Sequence, residues 1–176
     1  MAHSLKRAIQ LENAIRTVRN SGGSVGFECE WDFVIDEPRR LSLLQKVLLG
    51  SPLLRCLAYR PDLVTVTGAR WNSSLAEAIM TLIAGGRTRW VDISETDAPS
   101  SDVNKILSCS DHLIAVCLDG TGATDRECEL LEEKQALSSA TLRRTEITPA
   151  AVSKLCRTRP ELTVGWELGQ IKGEDK

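Results

Sequence analysis

The chain has 176 residues, 42% of them apolar, which is enough to fill the core of one compact domain or one short repeat array. Its formal net charge of −2 offers no basic footprint, so nucleic acid is not the expected partner. Apolar runs such as Val47-Leu48-Leu49 are too short to span a bilayer, and Met1-Ala2-His3-Ser4-Leu5-Lys6 opens a mixed polar helix instead of a signal peptide. The chain as given reads as soluble and cytoplasmic, with no membrane partner, though it is also compatible with a fragment of a longer protein.

In chain order, Leu5, Ile9, Ile15 and Val18 predict a helix that stops near Ser21-Gly22-Gly23. Val25, Phe27, Cys29 and Trp31 alternate with Gly26, Glu28 and Glu30, the period-2 pattern of a strand. Pro38 opens a second helical stretch from Leu41 to about Leu49, broken by Gly50-Ser51-Pro52, and a short helix or turn covers Leu53 to Tyr59. Residues 1–62 are read as an N-terminal cap that covers the apolar end of the remaining chain; a separate binding module is the alternative.

Residues 63–168 repeat. Thr96, Thr121 and Thr145 are spaced 25 and 24 apart. Six further columns share those spacings: Thr88/Leu113/Leu137, Val91/Val116/Ala140, Ile93/Leu118/Leu142, Ala98/Ala123/Ile147, Val103/Cys128/Val152 and Ile106/Leu131/Leu155. Each unit reads as a short strand, a turn and a helix. In the best one, Leu113, Val116 and Leu118 suit the strand, Asp119-Gly120-Thr121-Gly122 turns the chain, and Thr124-Asp125-Arg126-Glu127 is a capping box. A single unit cannot bury its apolar face, whereas stacked neighbours can. The threonine column is expected to hydrogen-bond backbone in the turn.

An earlier unit is predicted over 63–86, with Asn72, Ile79 and Leu82 placed 24 before Thr96, Val103 and Ile106, and a capping box at Ser74-Leu75-Ala76-Glu77. Its strand register slips, because Leu63 lies 25 before Thr88. A terminal strand starts near Leu162, and 169–176 reads as a polar tail.

These units resemble leucine-rich-repeat proteins of the ribonuclease-inhibitor-like type, and more narrowly the many-copy repeat proteins of planctomycete bacteria. Leu118-Asp119-Gly120-Thr121-Gly122-Ala123-Thr124-Asp125 and Leu142-Arg143-Arg144-Thr145-Glu146-Ile147-Thr148 carry the likeness, and Gly22 to Trp31 is similar to the stretch before such repeats. The departures are Glu127 and Ala151 where the pattern has glycine, and Thr88 and Ala140 in the strands. The resemblance implies an α/β fold: a right-handed solenoid with parallel strands on a concave face, helices on the convex face, and an N-terminal α/β cap. It implies an interaction surface and transfers no catalytic residue.

No P-loop, dinucleotide fingerprint or nucleophile elbow is present, so no enzyme and no cofactor are expected. Cys109, His112 and Cys117 superficially suggest zinc. Cys117 falls in a strand and no fourth ligand comes after it, so the expectation is no metal. The six cysteines form no CxxC pair and are read as reduced, with a bridged arrangement as the alternative. The informative residues are those between the buried strand positions: Trp90, Asp92, Ser94 and Glu95 in one unit, Ala115, Cys117, Asp119 and Gly120 in the next, Ser139, Thr141, Arg143 and Arg144 in the third. Stacking predicts one row of Ser94, Asp119 and Arg143 and another of Glu95, Gly120 and Arg144, with Asp119 pairing with Arg143. The expected function is a non-enzymatic module that binds another protein through Trp90, Asp92, Glu95, Asp119, Arg143 and Arg144. An adaptor or regulatory subunit of an enzyme complex is one alternative. A small-molecule binder at the cap–repeat junction, near Trp31 or Trp71, is another.

Overall fold

Short apolar strands alternate with helices whose apolar residues recur on one face, and the chain is accordingly α/β. A computed structural model describes residues 2–27, 61–85, 88–166 and 169–171. The elements are α1 (Ala2–Asn20), β1 (Ser24–Phe27), β2 (Pro61–Thr65), α2 (Ser73–Gly85), β3 (Trp90–Asp92), α3 (Ser100–Ser108), β4 (Ala115–Cys117), α4 (Asp125–Glu133), β5 (Ser139–Thr141), α5 (Pro149–Thr158), β6 (Thr163–Trp166) and β7 (Gly169–Ile171). The helical stretches expected over 38–49 and 53–59 lie outside the described residues, as do the strand positions beyond Phe27.

Among the described residues, seven strands form one sheet in sequence order. From β2 to β6 each neighbouring pair is parallel. At the ends, β1 pairs antiparallel with β2, and β7 antiparallel with β6. Residues 169–171, expected in a polar tail, therefore add an edge strand. Three residues are too few to carry an alternating apolar pattern in the sequence.

The ladder matches the repeat. Val91 faces Val116, Val116 faces Ala140, and Ala140 faces Val164. All four are buried on the helix side, joined in one core by Val103, Ile106, Cys128, Leu131, Val152 and Leu155 from the helices. Each of α2 to α5 packs on its sequence neighbour. The threonine column is realised three times over: Thr96 Oγ1 donates to Ile93 O at 2.7 Å, Thr121 Oγ1 to Leu118 O at 2.6 Å and Thr145 Oγ1 to Leu142 O at 2.8 Å. Each hydroxyl donates to the carbonyl three residues back, where the chain turns out of the strand; Leu118 O also accepts the Thr121 N–H at 3.1 Å.

The first unit departs from the expected register. Leu63 pairs with Trp90, 27 residues on, not with Thr88. The surplus lies in the helix, which has 13 residues in α2 against 9 in α3. Asn72 thus stands where Pro99, Thr124 and Thr148 begin their helices, not in the column of Thr96. Its Oδ1 accepts from the Leu75 N–H at 2.9 Å, so Asn72 caps α2 and Ser74 does not. The extra turn has a packing reason. Helix α2 buries Leu75, Ala76, Ala78, Ile79, Leu82 and Ile83, because α1 lies against it as well as α3. The approach is close at Gly85, where a Cβ would come within 2.6 Å of Leu11 Cδ2. The buried face of α1 is Ala8, Leu11, Ala14, Ile15 and Val18. Leu5 and Ile9, expected on that face, are 46% and 47% exposed. Small alanines took the inward positions because they let two helices approach.

At the C-caps of α4 and α5, cationic side chains reach back one unit. Lys134 is buried and its Nζ meets Asp111 Oδ1 at 2.9 Å. Arg159 is buried, donating through Nη1 to Lys134 O at 2.8 Å and through Nη2 to Leu137 O at 3.0 Å, while Nε pairs with Glu161.

Candidate functional site

Strand side chains alternate, so the buried valine column fixes what points away from the helices. One row is Leu63, Trp90, Ala115, Ser139 and Thr163; the next is Thr65, Asp92, Cys117, Thr141 and Gly165. Trp90 is 49% exposed, the most exposed large apolar side chain among the described residues. Beside it is a cavity of about 250 Å³ lined by Asp62, Arg89, Trp90 and Ile114. Arg89 and Asp62 form a two-pronged ion pair, Nε to Oδ1 at 2.7 Å and Nη2 to Oδ2 at 2.9 Å. The repeat pattern does not single out Asp62, Arg89 or Ile114. A signal is present all the same, since Arg89 and Ile114 both directly precede outward positions of adjacent strands.

The carboxylates of the face hold its turns. Asp92 Oδ1 accepts from the Ser94 N–H at 3.0 Å and the Ser94 hydroxyl at 2.6 Å. Ser94 is consequently buried, not a member of an exposed row. Asp119 Oδ1 accepts from the Arg143 backbone N–H at 2.7 Å, so the expected Asp119–Arg143 side-chain pairing is instead a side chain holding the neighbouring backbone. The Arg143 side chain is exposed. Thr141 Oγ1 donates to Cys117 Sγ at 2.8 Å. Burial pushes the Cys117 thiol above its ordinary pKa, with the Thr141 hydroxyl acting against that.

Beyond these rows the alternation ends. Gly68, Glu95, Gly120 and Arg144 have φ of 67°, 55°, 69° and 52°. All four lie in the left-handed region that non-glycine residues seldom adopt. The ladder continues through them, with Gly68 N donating to Ser94 O at 3.0 Å, Glu95 N to Asp119 O at 2.7 Å and Gly120 N to Arg143 O at 2.8 Å. The residues expected as a strand row therefore form a row of turns. Glu95 and Arg144 ion-pair directly, two units apart in the chain. Gly120 leaves room for that bridge, because a Cβ there would lie 3.1 Å from Glu95 Oε2.

The remaining candidates are structural or lie elsewhere on the surface. Cys109 is half-buried and His112 exposed, and among the described residues no group of three His, Cys, Asp or Glu side chains is placed to hold a metal ion. Trp71 is anchored by its indole N–H to Asp102 Oδ2 at 3.0 Å and its backbone N–H to Asp97 Oδ1 at 2.8 Å; Trp31 lies outside the described residues. Of the helix-face charges, Glu129 and Glu133 are exposed. Glu132 is half-buried with Lys154 Nζ at 3.3 Å, and Lys134 is buried. Among the described residues no helix is long and apolar enough to cross a membrane. Comparison of the chain with protein-family models, with curated proteins and with solved structures found no match.

Proposed function

We propose that the chain is a leucine-rich-repeat solenoid of the ribonuclease-inhibitor-like type, and that it is a non-enzymatic module that docks another protein on the sheet face turned away from its helices. The observation that carries this reading is Trp90, a large aromatic 49% exposed on that face beside a cavity it shares with Ile114 and the Asp62–Arg89 pair. Aromatic side chains in such positions are frequent anchors of interfaces. The repeat assignment is supported by parallel strands stacked at offsets of 25, 24 and 24 and by the recurring threonine-to-carbonyl bond. Trp90 supplies the anchor, Asp92 and Asp119 fix the turns around it, and Arg143 offers an exposed cation. Glu95 and Arg144 act as a mutually neutralised pair at the rim. A reducing, cytoplasmic setting belongs to the same reading, supported by the free thiols of Cys109, Cys117, Cys128 and Cys156.

The test begins with partner capture from native extract and continues with variants. Trp90→Ala combined with Arg143→Glu is expected to weaken binding at least tenfold, or about 1.4 kcal/mol, with little change in Tm. Normal binding by that variant, together with loss of binding on reversing Glu129 and Glu133, would move the interface to the helix side and end this reading.

A further inference from the structure

Asp119–Gly120 is the one Asp–Gly step in the chain, and no Asn–Gly step occurs. At such a step the main chain attacks its own side chain most readily, because the glycine nitrogen has no neighbouring Cβ to shield it. The Gly120 nitrogen adds to Asp119 Cγ, and a carboxyl oxygen departs as water with the nitrogen's hydrogen and a solvent proton. The product is a five-membered succinimide. Water reopens it at either carbonyl, and one of the two openings leaves the main chain running through Cβ as isoaspartate. The net change is an isomerisation, with one water lost and one regained and no redox partner required.

Both reacting groups are held by the segment after β5. The Gly120 N–H donates to Arg143 O at 2.8 Å, and Asp119 Oδ1 accepts from the Arg143 N–H at 2.7 Å. The nitrogen's hydrogen is thereby directed into the ladder, and the carboxyl is turned to a neighbouring backbone instead of to its own chain. Ring closure requires both bonds to Arg143 to open. We propose that Asp119–Gly120 is a conformation-gated isoaspartate site, closed while residue 143 pairs with the turn after β4 and open when that pairing is lost. An added main-chain carbon at position 119 would fall between Leu118 and Thr121, whose hydroxyl bonds Leu118 O at 2.6 Å. A chain modified while unfolded would therefore rebuild this turn wrongly. The inference holds whether or not the sheet face docks a partner.

The test uses the full chain aged at neutral pH, once in native buffer and once in urea above its unfolding midpoint. Isoaspartate is read by mass-spectrometric peptide mapping with an aspartate-specific protease, which does not cut at the isomerised residue. Product at residue 119 is expected in urea, forming about a hundredfold faster than in native buffer, because opening this stretch draws on the surrounding ladder. Gly120→Ala, compared in urea so that its own folding does not matter, should suppress the product. Equal rates in native buffer and urea would eliminate the gate. Absence of product at 119 in urea, or no suppression by Gly120→Ala, would eliminate the site.

Discussion

Replacing Arg159 by methionine asks whether a buried cation at a helix C-cap holds two units together. The side chain is 6% exposed, and its guanidinium reaches Leu131 O at 3.3 Å, the part-buried Glu132 O at 3.2 Å, Lys134 O at 2.8 Å and Leu137 O at 3.0 Å. Not every acceptor is orphaned by the change. Leu131 O keeps the Lys134 N–H at 3.3 Å, and Lys134 O keeps the Leu137 N–H at 3.0 Å. Leu137 O loses its guanidinium donor, and an unsatisfied buried acceptor costs about 1–3 kcal/mol. Loss of a cation from the C-terminus of α4 adds roughly 0.3–1 kcal/mol, more when partly buried. Glu161 is exposed and regains water, so its lost ion pair contributes little. Methionine recovers some burial, and the expected net loss is about 1–4 kcal/mol in urea unfolding with an unchanged m-value. Arg157→Met, on the exposed side of the same helix, should stay within about 0.5 kcal/mol. Arg159→Lys should fall between, because it keeps charge but not the planar fork. An Arg159→Met midpoint indistinguishable from that of Arg157→Met would refute the reasoning.

Leu131→Ala and Leu155→Ala, both at fully buried positions, should each cost about 2–5 kcal/mol in the same melts; a surface-like change of under about 0.5 kcal/mol would mean the helix register is wrong. Burial raises the Cys128 thiol to about 12, so it should resist thiol reagents at pH 8 in the native protein. After unfolding without reductant all six cysteines should titrate, and fewer than six would point to a disulfide. The Trp71 indole N–H, and then Lys105, hold the Asp102 carboxyl below the ordinary aspartate pKa. A depressed folded-state pKa contributes stability above the unfolded value of about 4, lost as pH falls through the folded value. Asp102→Asn and Trp71→Phe should therefore both flatten the decline in stability below about pH 4, and unchanged acid limbs would count against the Trp71 contact.

Much of the sheet was legible because parallel stacking writes its offset into the sequence. Val91, Val116 and Ala140 recur at the spacing at which they pair. The helix start after Thr124 was legible through capping chemistry that two or three residues specify, and Glu127 does reach back to accept the Thr124 N–H at 2.6 Å. The first unit was misregistered because one extra turn of α2 moves the strand ladder and the helix columns by different amounts. The helix apolar columns at a spacing of 24 were real candidates, yet only the strand ladder fixes which is equivalent to which. At the candidate site, alternation placed Trp90 and Asp92 outward but could not foresee where alternation stops. Glu95 and Arg144 adopt left-handed backbone without being glycine, and no local pattern announces that. The destination of Asp119 was equally hidden, since a carboxylate can satisfy a backbone N–H as well as a guanidinium.

That ending of alternation changes how the face would bind. With Glu95 and Arg144 paired across Gly120, and Asp62 and Arg89 paired beside Trp90, much of the charge around the outward rows is already matched within the chain. A partner that competed for those groups would have to desolvate and separate existing pairs, which returns little affinity. Asp92 and Asp119 spend hydrogen-bonding capacity on Ser94 and on the Arg143 backbone, so neutralising either should loosen the turns as well as alter the surface. On the proposed reading, what remains to distinguish partners is shape around Trp90 and Ile114 together with the exposed Arg143 side chain. Affinity on this face should therefore track the apolar contact at Trp90, while charge reversal at Arg143 should act mainly through association rate and salt dependence. A Trp90→Ala variant that changed only the association rate would invert that division and return the paired charges to the centre of the interface.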